Sequence, residues 1–254
     1  MPANTFVWYE LMTSDMGAAE AFYSNVVGWT PKPFRSEGPA YTLMHAGDRS
    51  TAGIMTVPDE AKQAGARPRW LGYIGVADVD AASERLKGGG GTVHRAPADI
   101  PEVGRFSVVA DPQGAMFMLF QPFRTDSTPP QPGAPGAIGW HELYAADGQR
   151  AFDFYSSQFG WAKGDAMDMG PMGTYQLFVA GGVPIGGMMN KPEGVPFPTW
   201  SFYFNVPAID GAIERVKAAG GQVLLGPIEV PGGMWIIQGL DPQGASFALL
   251  APVR

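Results

Sequence analysis

The chain of 254 residues contains no cysteine. That absence excludes disulfides, thiolate metal sites and cysteine nucleophiles. No apolar run reaches the ~18 residues needed to span a bilayer, and the start MPANTFVW has neither the basic beginning nor the apolar stretch of a signal peptide. No membrane partner is expected, and a cytoplasmic location is. Basic charge is scarce: Lys and Arg total 17 against 24 Asp and Glu, a net charge of −7. Such a balance repels a phosphate backbone, so no nucleic acid partner is expected. Glycine (35) and proline (24) are abundant, and they fall at the ends of periodic segments, as in a chain of many short strands and turns.

The sequence is one module written twice. WYELMTSDMGAAEAFYSNVVGW at residues 8 to 29 returns as WHELYAADGQRAFDFYSSQFGW at residues 140 to 161, with ten of 22 positions identical. Residues 70 to 93 likewise match 200 to 223, and ADPQGAMFMLFQP at 110 to 122 matches LDPQGASFALLAP at 240 to 252. Between the copies lies a Pro- and Gly-rich stretch without apolar period, the composition of a linker. The expected organisation is module 1 over 1–122, a linker over 123–138 and module 2 over 139–254.

Within each copy the pattern reads strand, helix, strands, then strand, helix, strands. Ala19, Phe22, Tyr23 and Val26 recur at helical spacing, with Asp15 placed to cap the N-terminus and Gly28 the C-terminus; Asp147 and Gly160 repeat the punctuation. Ile209, Ala212, Ile213 and Val216 mark a second helix. Tyr41–Ala46, Tyr73–Val76, Phe106–Ala110 and Met116–Phe120 read as strands by length and boundaries. GGGG at 88 to 91 is a helix stop, since no Lys and helix follow it as in a phosphate loop. The Gly- and Met-rich stretch 164 to 173 reads as a loop, with a lid as the alternative.

A β-α-β-β-β unit used twice per module, with a D-x6-F-Y helix, a Gly-aromatic pair after it and a D-P-x-G turn before the last strand, resembles the vicinal oxygen chelate superfamily. That superfamily includes glyoxalase I, bleomycin-resistance proteins and extradiol dioxygenases, and the chain is most similar to two-module proteins of its glyoxalase-like or hydroxylase-like type. The resemblance implies an α+β fold of tandem modules, four β-α-β-β-β units forming two cupped mixed β-sheets with helices outside. It also implies ligand positions for a divalent metal, which fall here on Trp8, Gly53 or Ile54, Leu71 and Met118, and on Trp140, Gly187 or Met188, Ser201 and Ala248. Only Ser201 offers an oxygen, whereas a metal needs about three to six N or O donors. No metal site and no cofactor are expected.

Side chains on a strand alternate between faces, so Trp8 shares a face with Glu10, and Trp140 with Glu142 and Tyr144. Each cup is expected to be lined by an indole, able to stack on a ligand, and a carboxylate, able to transfer a proton. Packing is the alternative role for the indoles. Met118, Ser201 and Ala248 are expected to line the cups, with more room in copy two, and Arg105 is a candidate clamp for an anionic ligand. His141, on the opposite face from Trp140, reads as a helix-packing or surface residue, and His45 and His94 support no triad.

Three functions follow, in order of preference. The first is binding of a small aromatic or apolar molecule without a metal. The second is a hydroxylase- or glyoxalase-like enzyme using Glu10 or Glu142 as acid/base. The third is a structural or protein-interaction role with collapsed cups. A monomer, as an internal pseudo-dimer, and a homodimer are both compatible with two fused modules.

Overall fold

The computed structural model describes residues 4–34, 38–124 and 133–254. Copy one runs β1 (Phe6–Thr13), α1 (Met16–Val27), β2 (Thr30–Phe34), β3 (Tyr41–Ala46), β4 (Arg49–Thr56), α2 (Asp59–Gln63), β5 (Arg69–Gly75), α3 (Val79–Gly88), β6 (Thr92–Ile100), β7 (Gly104–Ala110) and β8 (Met116–Pro122). Copy two runs β9 (Ile138–Ala145), α4 (Gly148–Phe159), β10 (Ala162–Asp168), β11 (Thr174–Ala180), β12 (Val183–Asn190), β13 (Thr199–Asn205), α5 (Ile209–Ala218), β14 (Gln222–Val230), β15 (Met234–Leu240) and β16 (Ser246–Ala251). The strands form two eight-stranded mixed sheets, ordered β2-β3-β4-β1-β5-β8-β7-β6 and β10-β11-β12-β9-β13-β16-β15-β14. Among the described residues no helix is long and apolar enough to cross a membrane.

The helix ends follow the local chemistry. Asp15 Oδ1 accepts the Ala18 N–H at 3.0 Å and Asp147 Oδ1 the Arg150 N–H at 3.0 Å, each satisfying an orphan donor of the first turn. Gly28 and Gly160 close these helices at φ 87° and 70°, a region that side-chain-bearing residues enter at a cost. One expectation fails in part. Half of the stretch read as a loop at 164 to 173 belongs to β10, which pairs antiparallel with β11 and is followed by a single 3-10 turn, Gly170–Met172. At the outer position of its sheet β10 has a strand partner on one side only, and its exposed, Gly- and Met-containing sequence carries little apolar pattern.

The compact units of the chain do not follow the repeats. One gathers Met1–Trp8, Leu71–Pro129 and His141–Trp200; the other gathers Tyr9–Trp70, Pro130–Trp140 and Ser201–Arg254. Each unit therefore combines one half of copy one with the opposite half of copy two.

A buried polar relay explains this pairing. In the second unit the Trp70 indole N–H donates to the Tyr23 hydroxyl at 2.8 Å, and that hydroxyl donates to Asp241 Oδ2 at 3.1 Å. Asp241 Oδ1 accepts the N–H groups of Gln243 and Ala245, both at 2.9 Å, which folds the D-P-Q-G turn. The first unit repeats the arrangement: Trp200 to Tyr155 at 2.9 Å, Tyr155 to Asp111 at 3.2 Å, and Asp111 to the N–H groups of Gln113 and Ala115 at 2.8 and 2.9 Å. The F-Y helix of each copy is thus tied to the D-P-Q-G turn of the other. Aromatic packing surrounds each relay, with Trp29, Trp70 and Phe204 at 5.0 to 5.9 Å in one unit and Trp161 stacked between Tyr155 (5.4 Å) and Phe178 (4.5 Å) in the other. Burial raises both tyrosines above their ordinary value and pushes Asp111 and Asp241 up as well.

Removing one hydroxyl from a relay leaves an indole N–H and a carboxylate oxygen buried without their partner. Tyr23→Phe and Tyr155→Phe are each expected to lower stability by about 2–4 kcal/mol, read as a lower urea midpoint at unchanged slope. A loss below about 0.5 kcal/mol, the range of an ordinary surface substitution, contradicts the relay's role.

Candidate functional site

The W-x-E-L strands β1 and β9 each have one face taken up by the core. On β1 that face carries Leu11 and Thr13, both fully buried, and on β9 it carries His141 and Leu143. The opposite face carries the glutamates, and these too are buried, Glu10 at 4% exposure and Glu142 at 6%. Trp8, Trp140 and Tyr144, which share those faces by alternation, are half-buried.

What stands beside each glutamate is a glycine with a tyrosine laid across it. Glu10 pairs in register with Gly53 in the parallel ladder of β1 and β4, and Glu142 with Gly187 in that of β9 and β12. Register partners point to the same face about 4.8 Å apart. A Cβ on Gly53 would overlap the hydroxyl and ring of Tyr41, and a Cβ on Gly187 would overlap those of Tyr175. The missing side chain is therefore what admits the phenol beside the carboxylate.

The second halves of the sheets differ between copies. On the first, Met118 pairs with Tyr73 and with Val108, is 1% exposed, and fills its position with its own side chain. On the second, Ala248 pairs with Tyr203 on one side and Gln238 on the other, and Gln238 Nε2 donates to the Tyr203 hydroxyl at 2.7 Å. The room that Ala248 leaves is bridged by a polar pair, and Ala248 is fully buried. Ser201 lies two residues before Tyr203 on the same face, 9% exposed.

The remaining candidates sit elsewhere. Arg105 is held by two carboxylates, Asp80 (Nε to Oδ2 2.6 Å) and Asp99 (2.7 Å), at the edge of β7. His94 is exposed, and His45 is buried with its Nε2 3.2 Å from the Ser50 hydroxyl. His141 is no surface residue: it stacks on Phe6 with ring centroids 4.4 Å apart and 7° between planes, and its Nδ1 lies 2.6 Å from the Ile185 carbonyl. The alternation argument placed it on the correct face, and that face is core.

As groups set beside or across from one another, Tyr41, Gly53, Tyr175, Gly187, Tyr203 and Gln238 escaped the sequence reading, in which Gly53 and Gly187 entered only as positions of the family's metal ligands. A signal for the first four exists: Y-x-L-x2-A-G-x5-G-x-M from Tyr41 recurs from Tyr175, in a part of the repeat where little else is identical. Tyr203 and Gln238 correspond in the repeat to Tyr73 and Val108 of copy one, so the repeat conceals that pair rather than revealing it.

The profile of the glyoxalase/bleomycin resistance protein/dioxygenase superfamily matches residues 5–119 and 137–249. The protein named "Putative glyoxylase CFP32" of Mycobacterium tuberculosis is 34% identical over 249 residues, 96% of this chain and 94% of the relative. The anthracycline biosynthesis protein DnrV of Streptomyces peucetius is 29% identical over 255 residues, 96% of this chain and 91% of the relative. Among solved structures, the Mn(II)-bound glyoxalase of Novosphingobium aromaticivorans superposes with a TM-score of 0.66 at 15% identity, covering 100% of this chain and 84% of that one. That likeness is one of fold. Among the described residues no three His, Cys, Asp or Glu side chains gather in a group that could hold a metal ion.

Burial sets the charge state of His141, lowering its pKa from 6.5 to about 4. The unfolded chain then binds a proton between pH 6.5 and 4 that the folded chain refuses, so this residue's contribution to stability is full above pH 6.5 and is lost as pH falls through that window, by up to about 3 kcal/mol. His141→Gln is expected to flatten the fall in unfolding free energy between pH 7 and 4 relative to the unsubstituted protein. An identical pH profile for the two proteins contradicts a buried neutral imidazole.

Proposed function

The chain belongs to the glyoxalase/bleomycin resistance protein/dioxygenase superfamily, and we propose that within it the protein binds a compact aromatic or apolar small molecule on the glutamate-bearing sheet faces without a metal ion. The observation that carries this reading is the contrast among the tryptophans. Trp29, Trp70, Trp161 and Trp200 are 1 to 5% exposed, and each donates its indole N–H, to Gly136, Tyr23, Asn4 and Tyr155. Trp8 and Trp140 remain half-buried. Trp235 is half-buried too, beneath the Arg254 guanidinium 5.3 Å from its ring; a collapsed face would bury Trp8 and Trp140 as the core buries Trp29, Trp70, Trp161 and Trp200, whereas a stacking residue keeps part of its ring accessible.

The family's ligand positions support the metal-free part of the reading, since Trp8, Gly53, Leu71, Met118, Trp140, Gly187 and Ala248 offer no donor and Ser201 a single hydroxyl. The name of the Streptomyces peucetius relative supports an aromatic ligand, because anthracyclines are flat fused-ring molecules. A second reading, proton transfer by Glu10 or Glu142, rests on the burial of those carboxylates beside a phenol. It requires that Glu142→Gln abolish turnover while binding persists.

The protein purified without chelator is expected to carry no stoichiometric Mn, Fe, Ni or Zn by elemental analysis, and chelator dialysis is expected to leave its unfolding temperature unchanged. Stoichiometric metal overturns the reading. Trp140→Ala is expected to cost under about 1.5 kcal/mol of stability, against the 3–5 kcal/mol of a buried filler, and to weaken retention of a co-purified organic molecule in native mass spectrometry.

A further inference from the structure

The hairpin that joins β3 to β4 carries a pair of side chains that the binding reading does not use. We propose that Ser50 is a nucleophilic site, with His45 as its general base, that takes the acyl group of an aryl ester.

His45 and Ser50 are register partners across the hairpin, and His45 Nε2 lies 3.2 Å from the Ser50 hydroxyl, within reach for a serine to pass its proton to a base. A bulge brings them together. Met44 pairs with Ala52 and the next residue, His45, with Ser50, so that Thr51 is left out of the register. Met44 and His45 are then buried in succession, at 0% and 8% exposure, while Ser50 is exposed. The base is sheltered, and the hydroxyl it touches is reached from solvent. The same bulge occurs in copy two, where Phe178 pairs with Gly186 and Val179 with Pro184. By the repeat, His45 corresponds to Val179, Asp48 to Gly182 and Ser50 to Pro184. The hairpin therefore forms without either polar side chain, and their pairing in copy one is not a requirement of the turn.

To accept the serine proton the imidazole must be neutral. Burial first, and then the Lys32 ammonium, lower the His45 pKa below its ordinary value, with the Asp48 backbone and charge opposing in part. The ring is therefore neutral at pH 7. Its Nδ1 is buried with no hydrogen-bond partner among the described residues, which leaves Ser50 as the group that the ring engages. In the proposed step the Ser50 hydroxyl proton passes to His45 Nε2 and Oγ bonds to the ester carbonyl carbon. The bond from that carbon to the aryl oxygen breaks, and its electron pair leaves with the phenolate. The imidazolium then gives its proton to water, so that the products are an O-acyl serine, a phenolate and a solvated proton. An aryl ester is the fitting class, because a phenolate departs without an acid to protonate it.

The test is a time course of the full chain with p-nitrophenyl acetate at pH 7, quenched in acid and read by peptide mass spectrometry. Ser50 is expected to gain an acetyl group at least about tenfold faster than any other exposed serine, a modest share of what a positioned base supplies. His45→Gln, whose amide can hold the hydroxyl but cannot take its proton, is expected to bring Ser50 down to the rate of the other serines. His45→Val, the residue that copy two carries at this place, is expected to do the same. Near-ultraviolet circular dichroism reports whether each variant is folded, and either folded variant suffices for the comparison. No acetyl group on Ser50, acetylation of Ser50 at the rate of the other serines, or an unchanged Ser50 rate in a folded His45 variant overturns the inference and leaves the binding reading untouched.

Discussion

A tyrosine hydroxyl buried between an indole and a carboxylate is the interaction on which each compact unit depends. Its geometry is demanding, because the indole only donates, the carboxylate only accepts, and the phenol alone can join them. The carboxylate is at the same time the residue that folds the D-P-Q-G turn through two backbone N–H groups. One side chain thus fixes a local turn and a contact between copies. Gln113 adds to the hold in the first unit, its amide donating to the Asp147 carbonyl at 2.9 Å and accepting the Asp147 N–H at 2.7 Å. The N-terminus of α4 is therefore set against the turn of the other copy by side-chain bonds as well as by ring packing.

That anchoring decides which strand face is committed to the aromatic cores. With the F-Y helices drawn into the aromatic cores, Leu11, Thr13, His141 and Leu143 are committed to burial, and the alternate residues Trp8, Glu10, Trp140, Glu142 and Tyr144 are left on the other face. The glycines at 53 and 187 then let a phenol lie beside each carboxylate. On the proposed reading, ligand recognition uses the strand faces opposite those that carry Leu11, Thr13, His141 and Leu143, so that a superfamily architecture keeps its core motifs while the groups on the other face change.

Much of this was legible in the sequence. The repeat, the capped helices and the D-P-Q-G turns follow from local rules in which Asp15, Gly28, Asp147 and Gly160 act on their own neighbours. Alternation along W-x-E-L also separates the two faces. What could not be read was partnership across the copies: nothing near Tyr23 in the chain indicates Asp241, or near Tyr155 Asp111, because the bonds join residues about two hundred and about forty positions apart. The strand β10 was hidden by its weak pattern at a sheet edge, and the Tyr203–Gln238 bridge by the very symmetry that revealed the fold, since its equivalents are Tyr73 and Val108. His141 shows a finer limit, in that parity gives a face but not whether that face meets water or a second aromatic ring.

The central claim is that neither compact unit exists within a single copy. The direct test is to place a protease site in the linker, cut the native protein there, and follow the two copies by size-exclusion chromatography and near-ultraviolet circular dichroism. The claim predicts that the cut copies stay together until denatured, and that either copy refolded alone loses the fixed aromatic signal. Separation on cutting into two stable folded modules, each with its aromatic signal intact, would contradict it.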